Sequence, residues 1–169
     1  MKKTTQIFLS FVNSPPLPNR TSLLYNLLNQ EASMITNKQM EELFIEAEKI
    51  TGAAYVPYSK FHVGAAILCE DGEIITGVNV ENRSFGLTIC AERNAITTAI
   101  TMGKHNFKAL AVSTPDSVEP VSPCGACRQV LSEFMPPQTP VLFGGSGPNR
   151  VNTTIGELFP YDALHDLKR

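Results

Sequence analysis

The chain has 169 residues, enough for one domain, and 43% of them are hydrophobic, an ordinary share for a globular protein with its own core. A formal net charge of −2 argues against a nucleic-acid partner, which usually requires a strongly basic face. Because no apolar run approaches the ~20 residues that span a bilayer, we expect no membrane partner either.

The first 36 residues differ from the rest in charge and composition. All 16 acidic residues of the chain lie at Glu31 or later, and the proline-rich stretch at 15–18 prevents a helix there. We therefore predict a weakly structured N-terminal extension over 1–36, with an edge strand at 6–12 as an option, and a globular domain over 37–169. The acid-poor beginning is also compatible with an organelle transit peptide.

Local signals predict the first elements of the globular domain. Thr36 and Gln39 form a capping-box pattern in front of residues with helical spacing, which predicts a helix over about 37–54. Asp71 and Gly72 stand between two apolar runs and predict a hairpin. The two strands of this hairpin are expected at about 62–69 and 73–80.

The remaining elements alternate between helix and strand. Gly103 is expected to follow the end of a helix as its C′ residue, and Thr154 with Glu157 forms a second capping box before a short terminal helix. The other predicted elements are a helix over 90–102, a strand over 107–113, a helix over 124–134, and strands over 141–143 and 150–153. This order predicts an α/β fold with helices on both faces of a mixed sheet.

Three cysteines and one glutamate form the most informative pattern in the chain. Cys90 and Glu92 are two apart, and Cys124 and Cys127 lie in the segment Pro-Cys-Gly-Ala-Cys at 123–127. This is the zinc deaminase pattern H-x-E…P-C-x-x-C with cysteine in place of histidine. Three thiolates would leave the fourth tetrahedral position of one Zn²⁺ open, as catalytic zinc sites do.

The predicted helices explain why these residues suit a metal site. Cys90 and Cys124 stand at helix N-termini, where unpaired N–H groups and the positive dipole end favour the thiolate form. Zn²⁺ lowers the pKa of a bound water toward neutral, and Glu92 could take that proton and deliver it to a substrate. We expect Arg93 to offset the net −1 charge of Zn²⁺ with three thiolates.

Two other interpretations of the cysteines stay open at this point. Cys69 lies in an apolar run and is expected to be a small buried hydrophobe, but it could instead complete a four-cysteine structural site, which would leave Glu92 without a role. A zinc module without catalytic activity is the second alternative. The histidines have no ligand-like spacing to the cysteines; they are His62, His105 and His165. Since no disulfide framework remains, we expect a reducing, cytoplasmic compartment.

Several segments together resemble the small homotetrameric cytidine deaminases. They are Cys-Ala-Glu-Arg at 90–93, Pro-Cys-Gly-Ala-Cys-Arg-Gln at 123–129, Tyr-Val-Pro-Tyr-Ser-Lys-Phe-His-Val-Gly-Ala-Ala at 55–66, and Asn-Val-Glu-Asn at 79–82. The resemblance covers residues 37 to 162 and implies a three-layer α/β/α fold with a mixed five-stranded sheet. It also implies one Zn²⁺ per subunit, a homotetramer and a nucleoside substrate, cytidine or 2′-deoxycytidine.

The resemblance also implies roles for individual residues. Glu92 would be the proton shuttle, and the three cysteines would be the metal ligands. Asn79 and Glu81 would hydrogen-bond the ribose hydroxyl, and Phe61 would pack against the pyrimidine ring. The backbone N–H of Ala91 and the backbone carbonyl of Ser122 would contact the base edge. Phe85 stands at a position where the family often has tyrosine and would contribute to substrate binding at a subunit interface, whereas the family's C-terminal aromatic is not matched at its expected place.

Two rival enzymes share the zinc motif. A blasticidin-type deaminase is one, although Asn-Val-Glu-Asn at 79–82 favours a nucleoside with a ribose. A nucleic-acid editing deaminase is the other; such proteins carry a helix between their last two strands and basic, aromatic-lined grooves. The short link over 144–149 predicts a hairpin at that place instead.

Overall fold

The computed structural model describes residues 35–164 and 167. The predicted N-terminal extension, with its edge strand at 6–12, therefore lies outside the described residues apart from its last two. In the described part the helices are α1 (Asn37–Ile50), α2 (Ala91–Thr101), α3 (Gly125–Phe134) and α4 (Ile155–Leu158), and the strands are β1 (Gly64–Cys69), β2 (Ile74–Val78), β3 (Phe107–Thr114), β4 (Pro140–Gly145) and β5 (Arg150–Thr154).

The five strands form one mixed sheet, as the order of predicted elements indicated. Their spatial order is β2-β1-β3-β4-β5. β3 and β4 run parallel with α3 between them in the chain, and the other neighbouring pairs are antiparallel. β4 and β5 form a hairpin, which confirms the prediction for the link between the last two strands.

Helices cover the sheet on both faces, so the predicted three-layer α/β/α architecture is confirmed. Side chains alternate along β1, so that Ala65 and Ile67 contact the layer of α2 and α3 while Ala66 faces α1. The α1 layer meets small residues on three positions of the sheet, which lets this helix approach closely. These positions are Ala66, Ala109 and Ala111.

Several element boundaries differ from the predicted ones by a few residues, and for two of them the structure shows the reason. α1 ends at Ile50 rather than near residue 54, because Thr51–Ala53 tighten into a 3₁₀ turn. β1 begins at Gly64 rather than at 62, because the backbone just before it bonds to side chains instead of a neighbouring strand. The capping boxes at Thr36 and Thr154 and the positive φ of Gly103 (78°) agree with the local signals.

Glycine at 77 sets how closely α2 lies on the sheet. A Cβ at Gly77 would meet the backbone N of Ala95 at 2.4 Å and the backbone O of Ala91 at 2.5 Å. Both of these atoms belong to α2, whose first turn carries the candidate catalytic residues. The position of that turn therefore depends on the missing side chain at 77.

No helix in residues 35–164 is long and apolar enough to cross a bilayer.

We predict that Gly77→Ala destabilises the fold, because the new methyl group would clash with backbone atoms of α2, which cannot move aside as a flexible side chain could. Overpacking of this kind costs about 1–3 kcal/mol of unfolding free energy, which corresponds to a fall of the melting midpoint by roughly 2–10 °C in a chain of this size. Thermal unfolding followed by circular dichroism measures it. Gly52→Ala is the matched control, since nothing lies within 4 Å of the Cβ it would add; equal midpoints for the two variants would contradict the assignment.

Candidate active site

The three motif cysteines meet at one point, where α2 and α3 begin. Their sulfur atoms all lie within 4.8 Å of one another, and the Sγ atoms of Cys90 and Cys124 are 3.8 Å apart. Cys90 and Cys124 are the N-cap residues of the two helices, and neither side chain makes a capping hydrogen bond. Both sulfurs are therefore free to face a shared ligand, with Cys127 one turn further into α3.

The arrangement of the sulfurs fits a tetrahedral zinc ion. A Zn–S distance of about 2.3 Å in tetrahedral geometry places two sulfurs about 3.8 Å apart, which is the separation of Cys90 and Cys124. Thiolates are soft ligands of the kind that select zinc. Among the described residues, the cluster of metal-ligating side chains contains these three cysteines alone, so a bound zinc would keep one position open.

Cys69 takes no part in this cluster. It is the last residue of β1 and is almost completely buried in the core between the sheet and α2. Burial raises the pKa of its thiol, which opposes the thiolate form that a metal needs. The expected role of Cys69 as a small buried hydrophobe is confirmed, and the four-cysteine structural site is not supported.

The surroundings shift the pKa values of two of the sulfurs in opposite directions. A hydrogen bond from Cys127, with a further contribution from Arg93, lowers the pKa of Cys90 to about 5. The same hydrogen bond and burial raise the pKa of Cys127. A guanidinium nitrogen of Arg93 lies 3.5 Å from Cys90 Sγ and 3.0 Å from the carbonyl of Thr88, so the counter-charge expected from the sequence lies beside a ligand sulfur.

Glu92 lies next to the sulfurs and is closed off from solvent. Only 4% of its surface is exposed, and this burial raises the pKa of its carboxyl group. A carboxyl group whose pKa moves toward neutrality is suited to accept and return a proton. Its place in the first turn of α2, two residues after Cys90, brings it to the same point as the metal ligands.

Two residues without a role assigned from the sequence hold this point in place. Arg128 donates to the carbonyl of Pro123 (2.7 Å), to the hydroxyl of Ser122 (2.8 Å) and to the carbonyl of Leu158 (3.1 Å), and so ties the loop before α3 to α4. Asn94 donates to the carbonyl of Val78 (2.7 Å) and ties α2 to β2. The motif contains Arg128, but its partner Leu158 is 30 residues away, which no local pattern reveals.

The proposed ribose-binding residues lie on the segment that follows β2. The amide of Asn79 accepts from the N–H of Val63 (2.9 Å) and donates to the carbonyl of Phe61 (2.8 Å). The carboxylate of Glu81 accepts from the N–H groups of Tyr58 (3.0 Å) and Ser59 (3.3 Å). The two side chains thus hold the backbone on both sides of Phe61, a role in addition to any contact with substrate.

A set of exposed apolar side chains surrounds the loops next to the cysteines. Isolated bridges pair Val80 with Tyr55 and with Ile89, and the rings of Phe85 and Tyr58 meet edge to face at 6.0 Å. Phe85 is 74% exposed and Leu87 is 66% exposed. We call this set the mouth patch; its members are Tyr55, Tyr58, Val80, Phe85, Leu87 and Ile89.

A groove of about 600 Å³ lies at the other end of α3 and is not part of this site. It is lined by the residues that end that helix and by parts of β3 and the C-terminal segment, among them Met135, Phe107 and Asp162. It contains neither a motif cysteine nor Glu92.

Three thiolate ligands with an open fourth position, next to a buried carboxyl group on a three-layer α/β/α scaffold, define the class of hydrolytic zinc deaminases. Comparison with known proteins agrees. A family model described as "Cytidine and deoxycytidylate deaminase zinc-binding region" matches residues 37–143, and the chain belongs to this family.

Individual relatives have the same character. A cytidine deaminase of Sporosarcina psychrophila is 49% identical over 121 residues, covering 72% of this chain and 88% of the relative. The crystal structure of a cytidine deaminase from Burkholderia pseudomallei aligns with a TM-score of 0.69 and 39% identity, covering 75% of this chain and 98% of that one. A blasticidin-S deaminase of Bacillus cereus is 38% identical over 133 residues, covering 75% of this chain and 92% of the relative.

We predict that Arg93→Gln weakens zinc binding by roughly tenfold or more, the usual effect of removing a partner that supports a metal ligand. The guanidinium offsets the charge of the thiolates and helps to lower the pKa of Cys90. Without it that pKa rises and protons compete better, so the loss should be larger at pH 6 than at pH 8. Titration against a chromogenic chelator at both pH values measures the affinity. Arg83→Gln, at an exposed arginine, is the control; an unchanged affinity in Arg93→Gln would refute the role.

Proposed function

We propose that this protein deaminates cytidine and 2′-deoxycytidine hydrolytically, producing the uridines and ammonia in pyrimidine salvage. The observation that carries the proposal is the meeting of Cys90, Cys124 and Cys127 with the buried Glu92 at two helix N-termini. Neither a structural zinc site nor a binding module requires a carboxyl group with a raised pKa beside an incomplete ligand set.

In this proposal zinc, when bound, supplies an activated water for attack at C4 of the pyrimidine. Glu92 accepts the proton that this water loses and delivers it to N3. It then takes the proton of the new hydroxyl group on C4 and passes it to the amino group; the C–N bond breaks, ammonia leaves, and the C4 carbonyl of the uridine forms. The burial of Glu92 excludes bulk water from these transfers.

The substrate contacts that we propose are those that the resemblance to cytidine deaminases implies. Ala91 is the first residue of α2, so its backbone N–H has no helical partner and can bond the base edge, together with the backbone carbonyl of Ser122. Phe61 would pack against the ring, and Asn79 and Glu81 would bond the ribose. A site built to bond a hydroxyl rejects substrates that lack it, because its buried polar groups are left unpaired.

The rivals are less well supported. The similarity to the blasticidin-S deaminase of Bacillus cereus is compatible with a blasticidin-type substrate. The Asn-Val-Glu-Asn segment at 79–82 favours the nucleoside instead. A nucleic-acid editor is disfavoured by the β4–β5 hairpin, which leaves no helix between the last two strands. The net charge of −2 points the same way.

The assembly that we propose is a homotetramer in which the mouth patch is covered by other copies of the chain. Exposed apolar patches of this kind mark interaction sites, and this one adjoins the metal ligands, since Ile89 directly precedes Cys90. Phe85 would then contribute to a neighbouring active site. We also propose a catalytic domain over 37–169, supported by a family match that begins at residue 37, and a cytoplasmic location, supported by four free cysteines.

We predict that Glu92→Gln lowers kcat for cytidine by about 10²–10⁴-fold or more, because general acid–base catalysis is worth this factor and Glu92 serves several transfers. The amide keeps the size of the side chain but cannot carry the proton. Loss of cytidine ultraviolet absorbance measures turnover, and metal analysis of the same samples shows whether zinc stays bound. A zinc-loaded variant with near-normal kcat would refute the assignment.

We predict that Phe85→Asp weakens assembly and activity together, because a charge on the mouth patch opposes its burial between subunits. Light scattering at assay concentration measures the oligomeric state alongside kcat/KM. Ile45→Asp is the control, since Ile45 is an apolar side chain of α1 that is also exposed (45%) but lies outside the patch. An active monomer, or full activity after loss of assembly, would refute shared sites.

A further inference from the structure

A pair of side chains, His62 and Asp116, joins two segments that border the candidate active site. The backbone N–H of His62 donates to Asp116 Oδ2 at 2.6 Å, and the ring Nδ1 of His62 lies 2.8 Å from the same oxygen. One carboxylate oxygen thus holds both the backbone and the ring of one residue. His62 directly follows Phe61, and Asp116 belongs to the loop over 115–122 that leads to Cys124.

The pair takes over where the ladder between β1 and β3 ends. The last aligned residues of these strands are Gly64 and Ser113. Continuing this antiparallel register would set Pro115 opposite His62, and a proline has no N–H with which to extend the ladder. The Asp116 carboxylate accepts the His62 N–H in place of a strand carbonyl, so the two segments stay connected beyond the end of the ladder.

The His62 side of the pair is a short segment that needs support. Lys60 has a φ of 60°, a left-handed conformation that is unfavourable for a residue with a side chain. Asn79 holds the carbonyl of Phe61 and the N–H of Val63 from one side. Asp116 holds the intervening residue, His62, so that the backbone that carries Phe61 is fixed at three successive residues.

The Asp116 side is anchored to the rest of the sheet. The carbonyls of Ser117 and Val118 accept from the N–H groups of Ser146 (2.7 Å) and Gly147 (3.1 Å) in the β4–β5 turn. At its far end the loop is tied to α3, since Arg128 bonds the Ser122 hydroxyl. These hydrogen bonds hold the loop that carries Asp116 in place, and the His62–Asp116 pair connects that loop to the Phe61 segment.

We propose that His62 and Asp116 are positioning residues that set the separation between Phe61, proposed to pack against the pyrimidine ring, and Ser122, whose carbonyl is proposed to contact the base edge. This inference rests on the proposed function. Neither residue touches substrate in it. They fix the distance between these two substrate contacts before the base enters, so their effect is on binding rather than on proton transfer.

The solvent exposure of the pair distinguishes a positioning role from a contribution to the stability of the fold. The side chains of His62 and Asp116 are 36% and 39% exposed. Exposed pairs contribute little to the free energy of unfolding because water and salt screen them. Removing this pair should therefore leave the free energy of unfolding nearly unchanged while altering the distance between Phe61 and Ser122.

The test compares His62→Ala, Asp116→Ala, Asp116→Asn and the double alanine variant, all zinc-loaded. We expect Asp116→Ala to raise KM for cytidine by about fivefold, the effect of losing partly screened hydrogen bonds to a charged group, with kcat within about twofold. His62→Ala keeps the backbone bond to Asp116 and should raise KM by a smaller factor. Asp116→Asn keeps an acceptor oxygen and should recover part of the loss. The double variant should be no worse than Asp116→Ala, because that change already removes both the backbone and the ring contact, whereas His62→Ala removes the ring contact alone.

His105→Ala is the matched control, since His105 lines the groove at the other end of α3. Melting midpoints and zinc content should be the same in all variants. An unchanged KM, additive effects in the double variant, or a fall in kcat that follows lost zinc or a lowered midpoint would each overturn the inference. Failure of the proposed function looks different: wild-type protein would not deaminate cytidine, or zinc-loaded Glu92→Gln would retain its activity.

Discussion

The chemistry of this protein depends on two helices that begin at the same point in space. Helix N-termini expose N–H groups that have no partner within the helix, and proteins usually satisfy them with a serine, threonine or aspartate at the N-cap. Here Cys90 and Cys124 take both N-cap positions and make no capping bond. The positive ends of α2 and α3 thus remain directed at the cysteines, where they favour thiolates and leave backbone donors available for a bound base.

Electrostatics within the site follow from the same arrangement. Three thiolates would give a bound zinc centre a net charge of −1 and would weaken it as a Lewis acid. Two helix ends and the Arg93 guanidinium, 3.5 Å from the Cys90 sulfur, act against that charge. Glu92 shares the site but is buried, so it tends toward its protonated form, while the Cys90 sulfur tends toward its ionised form. Such opposed environments separate a proton carrier from a metal ligand two residues away.

What the sequence could predict is what nearby residues determine. Capping boxes at Thr36 and Thr154 and the C′ glycine at 103 act within four residues, and their helices begin or end where expected. The cysteine cluster could also be predicted, because binding one metal ion requires the ligand spacing that the motif shows. The domain boundary and the substrate contacts remain predictions.

Contacts between residues far apart in the chain could not be predicted from one sequence. Asp116 bonds a residue 54 positions away, and Arg128 bonds the carbonyl of Leu158 across 30 positions. Nothing in the local sequence of either partner specifies the other, since the sheet order decides which loops meet. Asn79 was assigned to the ribose by resemblance alone, and its bonds to Phe61 and Val63 became visible only once β1 and β2 were paired.

The close contact at Gly77 has a consequence for how the protein tolerates change. Where side chains separate a helix from a sheet, a substitution that changes the volume of one of these side chains also shifts the helix. At Gly77 the strand meets the backbone of Ala91 and Ala95 directly. The distance between α2 and the sheet is thus fixed by main-chain atoms, which do not change with the sequence. Substitutions among the aliphatic residues beneath the rest of α2 therefore affect the stability of the fold more than they affect the position of Cys90.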